Sequence, residues 1–188
     1  MNHHAKHVRI TFTIFCILGI MTSLSALALP PSAVEVEFIG DSTLHRFSGT
    51  AMASEIAEVS APGNRTLIRV VIPVSTMNTG HESRDNNMRH MLDAAHYGLI
   101  VGEALREELL QARAGETIAL ALTIRNETRQ VEAVWSRMDE ANGEYTVVLE
   151  CDISLKDYLL KAPSVMGLIR VKDTVHLSIK VMGIKEPS

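Results

Sequence analysis

Hydrophobic and polar residues alternate with a period of two through most of the chain beyond its N-terminal segment. Val34, Val36 and Phe38 alternate with Glu35 and Glu37, and the run at 65–74 puts Ile68, Val70, Ile72 and Val74 on one face. At 117–125, Ile118, Leu120, Leu122 and Ile124 oppose Ala119, Ala121 and Thr123. The run at 144–154 aligns Tyr145, Val147, Leu149, Cys151 and Ile153, and that at 174–182 gathers Val175, Leu177, Ile179 and Val181. Successive side chains of a strand point to opposite faces, so each run predicts an antiparallel strand with an oily face on a core. Turn residues separate the runs at Ala61-Pro62-Gly63-Asn64, Ala114-Gly115 and Ala141-Asn142-Gly143. Asn142-Gly143, set between two alternating runs, predicts a hairpin.

Two stretches change period. At 84–92, Met88, Met91 and Leu92 recur at helical spacing, with Asp85 well set near a helix start. At 103–113 the sequence EALREELLQAR carries Leu105, Leu109 and Ala112 on one stripe, acidic residues early and Arg113 last, which predicts a second helix. The fold class is therefore mainly β and antiparallel, with one or two short helices. Closing the sheet into a barrel would remove its exposed edges.

The N-terminus follows a different rule. Lys6 and Arg9 precede an apolar run from Phe12 to Met21, and Ala26-Leu27-Ala28 supplies the small residues that a signal peptidase reads. Pro30 and Pro31 follow. This layout predicts a signal peptide over 1–28, cleaved after Ala28, and one domain over 29–188. An uncleaved anchor is the competing reading, but the strongly apolar part is short for a span and Thr22, Ser23 and Ser25 dilute its end.

Composition narrows the partners. The 188 residues are 46% hydrophobic and 21% charged, which excludes a disordered chain. The formal charge is −4, and loss of Lys6 and Arg9 with the signal makes it more negative still, so no basic excess is left to neutralise a nucleic acid. Cleavage also removes Cys16 and leaves Cys151 alone, with no internal disulfide and no cofactor-binding motif.

One set of segments resembles a known family. Gly40-Asp41-Ser42-Thr43-Leu44-His45-Arg46-Phe47-Ser48-Gly49-Thr50-Ala51 resembles the opening GDSTLHxFxGTA of YceI-like proteins. The segment from Thr79-Gly80-His81 to Met88-Arg89, Leu122-Thr123-Ile124-Arg125, Leu155-Lys156-Asp157-Tyr158 and the run at 171–181 resemble later family elements in the same order. The resemblance implies a lipocalin-like antiparallel β-barrel of about eight strands, exported to the periplasm, holding a polyisoprenoid or similar amphiphile. The chain departs from the pattern at Tyr97-Gly98, at the helix-like 103–113 where many members have a strand, and at 126–131.

These readings define candidate residues. The interior of such a barrel would be lined by Phe38, Ile72, Val74, Leu120, Leu122 and Ile124 from the earlier strands. Val147, Leu149, Ile153, Leu177 and Ile179 would join from the later ones, Met88, Met91 and Leu92 from the helix, and Trp135 and Tyr158 as large rings. An eight-stranded barrel is wide enough for one small ligand, though the same residues would also serve a filled core. His81, Arg84 and Arg89 are the candidate headgroup contacts, with Asp85 to orient Arg84; a helix cap with a salt bridge is the plainer reading. Asp41, Ser42 and His45 lie too close in sequence for triad geometry, His81-Glu82 lacks the second histidine of a zinc motif, and Cys151 alternates with apolar residues as a buried thiol does. The expected function is a non-enzymatic binding protein for an apolar or amphiphilic small molecule. The alternatives are a solid barrel that docks an envelope protein partner, and a hydrolase or isomerase with a polar mouth.

Overall fold

In the computed structural model, residues 33–139, 144–165 and 169–185 are described. The five alternating runs fall in β1 (Val34–Ser42), β4 (Arg65–Pro73), β6 (Thr117–Ile124), β8 (Glu144–Ser154) and β10 (Ile169–Lys185) of one antiparallel sheet. From the stretches between those runs, β2 (Arg46–Met52), β3 (Glu55–Ala61), β5 (Leu99–Leu105) and β7 (Glu127–Asp139) join them. Their order is β2-β1-β10-β8-β7-β6-β5-β4-β3, and the short β9 (Ser164–Val165) pairs with β10 alone. Helix α1 (Glu82–Met91) follows β4, helix α2 (Arg106–Gln111) follows β5, and 3-10 turns occupy Val74–Thr76 and Leu155–Tyr158.

The sheet curls because its two end strands are consecutive in the chain. At the junction the Ala53 N–H donates to the Val34 carbonyl and the Ser54 N–H to the Val71 carbonyl, at 3.3 and 2.8 Å. β2 and β3 thus behave as one bent strand that pairs first with β1 and then with β4. On its other side β2 meets the segment leaving β4. Thr50 and Asn78 exchange two backbone hydrogen bonds of 2.9 Å, and the Thr76 hydroxyl donates to the Met52 carbonyl at 3.1 Å. With β2 and β3 taken as one stave, the wall has the expected count of about eight.

The hairpin expected at Asn142-Gly143 falls outside the described residues, although β7 and β8 pair in antiparallel register on either side, from Val134↔Glu150 to Asp139↔Tyr145. The segment read as a signal peptide, 1–28, also lies outside them. One element differs from expectation. Residues 103–105 are strand, not helix, and α2 keeps only Arg106–Gln111 of the stretch at 103–113. Leu105 pairs with Leu67 and Ala104 sits between Ile68 and Leu120, so two neighbouring strands claim backbone groups that an isolated helix would have satisfied itself.

Candidate functional site

The β1–β2 hairpin shapes the interior first. Gly40 pairs directly with Phe47, and Gly49 with Phe38. Each ring lies across the glycine opposite: a Cβ at Gly40 would come within 2.5 Å of Phe47 Cζ, and one at Gly49 would overlap the Phe38 ring and approach the Asn78 carbonyl oxygen at 2.8 Å. Two strands that carry small residues inside can therefore present two rings to the barrel. Both rings border a cavity of about 350 Å³.

The interior divides into a packed part and an open part. Ile118, Ala133, Trp135, Tyr145, Val147 and Ile184 meet in the core where β6, β7, β8 and β10 come together, and none of them borders the cavity. The cavity runs instead along β1, β4, β5 and β10. Ile68, Val70 and Ile72 project into it from β4, Ile100, Gly102 and Ala104 from β5, and Val175, Leu177, Ile179 and Val181 from β10. Leu120, Leu122 and Ile124 of β6, Leu149 and Ile153 of β8, and Met88, Met91 and Leu92 of α1 complete most of the wall.

Among the described residues, polar side chains reach the cavity from two places. The β1–β2 turn contributes Ser42 and His45, and α1 contributes Ser83, Arg84 and Asn87. Three of the lining residues are exposed to solvent, namely His45, Ser83 and Asn87. The opening therefore lies between this turn and this helix. Helical spacing explains the split on α1: residues 83, 84 and 87 face the opening, while 88, 91 and 92, one turn on, face the oily interior.

Arg84 is half-buried at this mouth and its guanidinium carbon stands 4.9 Å from the centre of the Phe47 ring. Among the described residues no carboxylate forms an ion pair with it, and no Asp or Glu lines the cavity. Its neighbour Asp85 is buried and turned the other way. The Thr79 hydroxyl and backbone N–H both donate to Asp85 Oδ1, at 2.6 and 2.9 Å, which ties the first turn of α1 to the chain arriving from β4. Burial pushes the Asp85 pKa up, but these two bonds, with Arg89 and Arg84 nearby, outweigh it and hold the carboxyl below its ordinary value.

The candidate residues thus separate. Phe38, Ile72, Met88, Met91, Leu92, Leu120, Leu122, Ile124, Leu149, Ile153, Leu177 and Ile179 border the cavity. Val74, Trp135, Val147 and Tyr158 do not; they are buried in the packed core, where Trp135 faces Leu149 across β7 and β8. Of the three headgroup candidates, Arg84 alone lines the cavity. His81 is exposed at the N-terminus of α1, and Arg89 donates to Asn86 Oδ1 at 3.1 Å on the helix surface. The expected Arg84–Asp85 salt bridge is replaced by the Thr79 bonds. The helical reading of 103–113 hides Ala104, and Ile100 and Gly102 stand just before it in a stretch with no strand reading, whereas Ile68 and Val70 already stand on the alternating face of their strand.

Chemistry other than binding finds little support. The Ser42 hydroxyl donates to the His45 carbonyl and accepts the His45 N–H, while Asp41 pairs with Arg46 and Lys172 at 3.2 and 3.4 Å, so no triad is assembled. Arg46 is the chief reason that the Asp41 pKa is lowered. Burial pushes the Cys151 thiol up to about 11, with Asp152 adding to the shift, and a protonated buried thiol is a poor nucleophile. Among the described residues no three histidine, cysteine, aspartate or glutamate side chains come together as a metal site, and no helix is long and apolar enough to cross a membrane.

Comparison with known proteins follows the fold. The YceI-like domain family model matches residues 5–182. A polyisoprenoid binding domain from Saccharophagus degradans, implicated in plant cell wall breakdown, superposes with a TM-score of 0.57 at 16% identity, covering 81% of this chain and 94% of that one. BcnA of Burkholderia cenocepacia superposes with a TM-score of 0.59 at 12% identity, covering 84% of this chain and all of the other. No curated protein matches the chain.

Proposed function

The chain belongs to the YceI-like domain family, and from that premise we propose that it is a binding protein that holds one apolar-chained amphiphile inside its barrel. The observation that carries this reading is the cavity itself: about 350 Å³, oily along its length and polar only at its opening. That volume falls within the range of small-molecule pockets. Removing one methylene from water is worth about 0.8 kcal/mol, so about ten of them supply roughly 8 kcal/mol before the costs of association. A tail needs no polar partner, and the side chains of β4, β5 and β10 offer none. The reading as a filled, purely structural barrel is disfavoured by the same void.

The related domain from S. degradans is described as polyisoprenoid binding, and a branched isoprenoid-like or a fatty chain is the cargo that suits this interior. Binding without catalysis accords with a mouth that lacks paired acid and base groups. Export belongs to the proposal as well: residues 1–28 act as a signal peptide, cleavage follows Ala28, and the barrel domain of 29–188 works in the periplasm. Intact-mass measurement of the exported protein checks the cleavage. Organic extraction of natively purified protein, followed by mass spectrometry, tests the cargo. A co-purifying apolar chain is expected. Repeated absence of any lipid, with no uptake of the neutral dye Nile red, would overturn the reading.

A further inference from the structure

We infer that the mouth selects amphiphiles with an anionic headgroup, a carboxylate or a phosphate, and that Arg84 is the residue that reads it. The inference rests on the proposal that the barrel holds an apolar chain, and it adds the chemistry of the other end. Among the described residues, Arg84 is the one always-charged side chain in the cavity lining, and no carboxylate shares that lining with it. A ligand whose tail follows the oily wall must leave its head at the opening, where His45, Ser83, Asn87 and Arg84 gather. An anion at that point gains a charge-assisted hydrogen bond in surroundings that are partly shielded from water. A cationic head would meet the guanidinium as a like charge, and a hydroxyl head would accept a hydrogen bond from it without the added attraction between opposite charges.

Two features hold Arg84 ready. The Phe47 ring beneath it, 4.9 Å from the guanidinium carbon, restrains the side chain without consuming its N–H donors. The ring is itself held in position by the glycine opposite, Gly40. Asp85 is the counter-charge that would compete with a ligand, but its carboxylate accepts both Thr79 donors and does not border the cavity. Asn87, one turn along from Ser83 on the same helix, offers amide donors beside the guanidinium, and Ser42 and His45 face them from the β1–β2 turn.

Displacement of Nile red from the full chain at neutral pH, by dodecanoate, dodecyl phosphate and dodecanol, tests the inference. The three share one tail and differ in the head. The wild-type protein is expected to bind one or both anions ~10-fold more tightly than the alcohol, the order of the two showing which anion the mouth prefers. Arg84→Gln is expected to abolish that preference while leaving the affinity for dodecanol within about twofold, and Arg84→Lys to keep part of it. Equal affinities for all three in the wild type, or an Arg84→Gln variant that retains the preference, would overturn the inference and leave tail binding standing. A variant that weakens dodecanol as much as the anions would overturn it too, because Arg84 would then only support the wall. Failure of every ligand and of the dye would instead sink the underlying binding reading.

Discussion

Asp85 shows how much of the mouth hangs on one carboxylate. Buried and bonded twice to Thr79, it joins α1 to the strand-like segment that seals β2. Asp85→Ala is expected to cost about 1–3 kcal/mol of stability in urea unfolding, because the two Thr79 donors lose a charged acceptor. The pH dependence has a definite sign. The folded pKa lies below the unfolded value, so the stabilisation is present above the ordinary aspartate range and is lost as pH falls through it toward the folded value. Asp85→Asn should therefore flatten that part of the acid limb when unfolding free energy is measured against pH. Tyr158 makes the opposite case. Its hydroxyl is buried without a hydrogen-bond partner among the described residues, and burial pushes its pKa up to about 12. Tyr158→Phe keeps the ring in the core and removes an unsatisfied polar group, so the melting temperature should stay the same or rise. A fall of several degrees would mean that the hydroxyl has a partner in solution.

At the scale of elements, the β1–β2 hairpin depends on complementary size across the strands. Phe38 opposes Gly49 and Phe47 opposes Gly40, so a side chain at either glycine displaces a ring that walls the cavity. Gly49→Ala is expected to destabilise the protein by about 1–3 kcal/mol through overpacking, read by thermal or urea unfolding. The sequence shows Gly40, Phe47 and Gly49 in one short motif with Phe38 just before it, but their pairing emerges only when the turn at Ser42–His45 fixes the register. The stretch at 103–113 teaches the reverse. EALREELL has helix-forming residues throughout, yet its first three residues complete a strand whose ladder runs from Pro73↔Leu99 to Leu67↔Leu105. Arg69, from the strand run at 65–74, and Glu103, from the stretch read as helical, meet across that ladder at 2.7 Å on the outer surface. Local propensity lost to hydrogen bonds supplied from both sides.

For the molecule as a whole, the decisive quantity is how the interior is shared between packing and void. Gly102 sits on β5 with its Cα facing the open part, and a Cβ there would touch nothing closer than Leu120 Cδ1 at 3.7 Å. Gly102→Leu is thus expected to fill space without strain. Nile red uptake should fall ~10-fold or more, with the melting temperature unchanged or raised by the added burial. Loss of folding in that variant, or undiminished uptake, would show that the dye does not enter beside β5.

Alternation, turn residues and the order of the motifs determined the class of fold, most strand positions and the oily character of the inward faces, because these follow from the period of the chain alone. The charged residues of α1 were legible as a group, but not which of them faces the opening. Only the tertiary structure decided that Trp135, Val147 and Tyr158 fill the barrel while Ile68, Ile100 and Val175 border a void, for apolar side chains are equally suited to either task. It also singled out Arg84 from His81 and Arg89, since the rotation of a helix against a sheet is set by contacts that are remote in sequence.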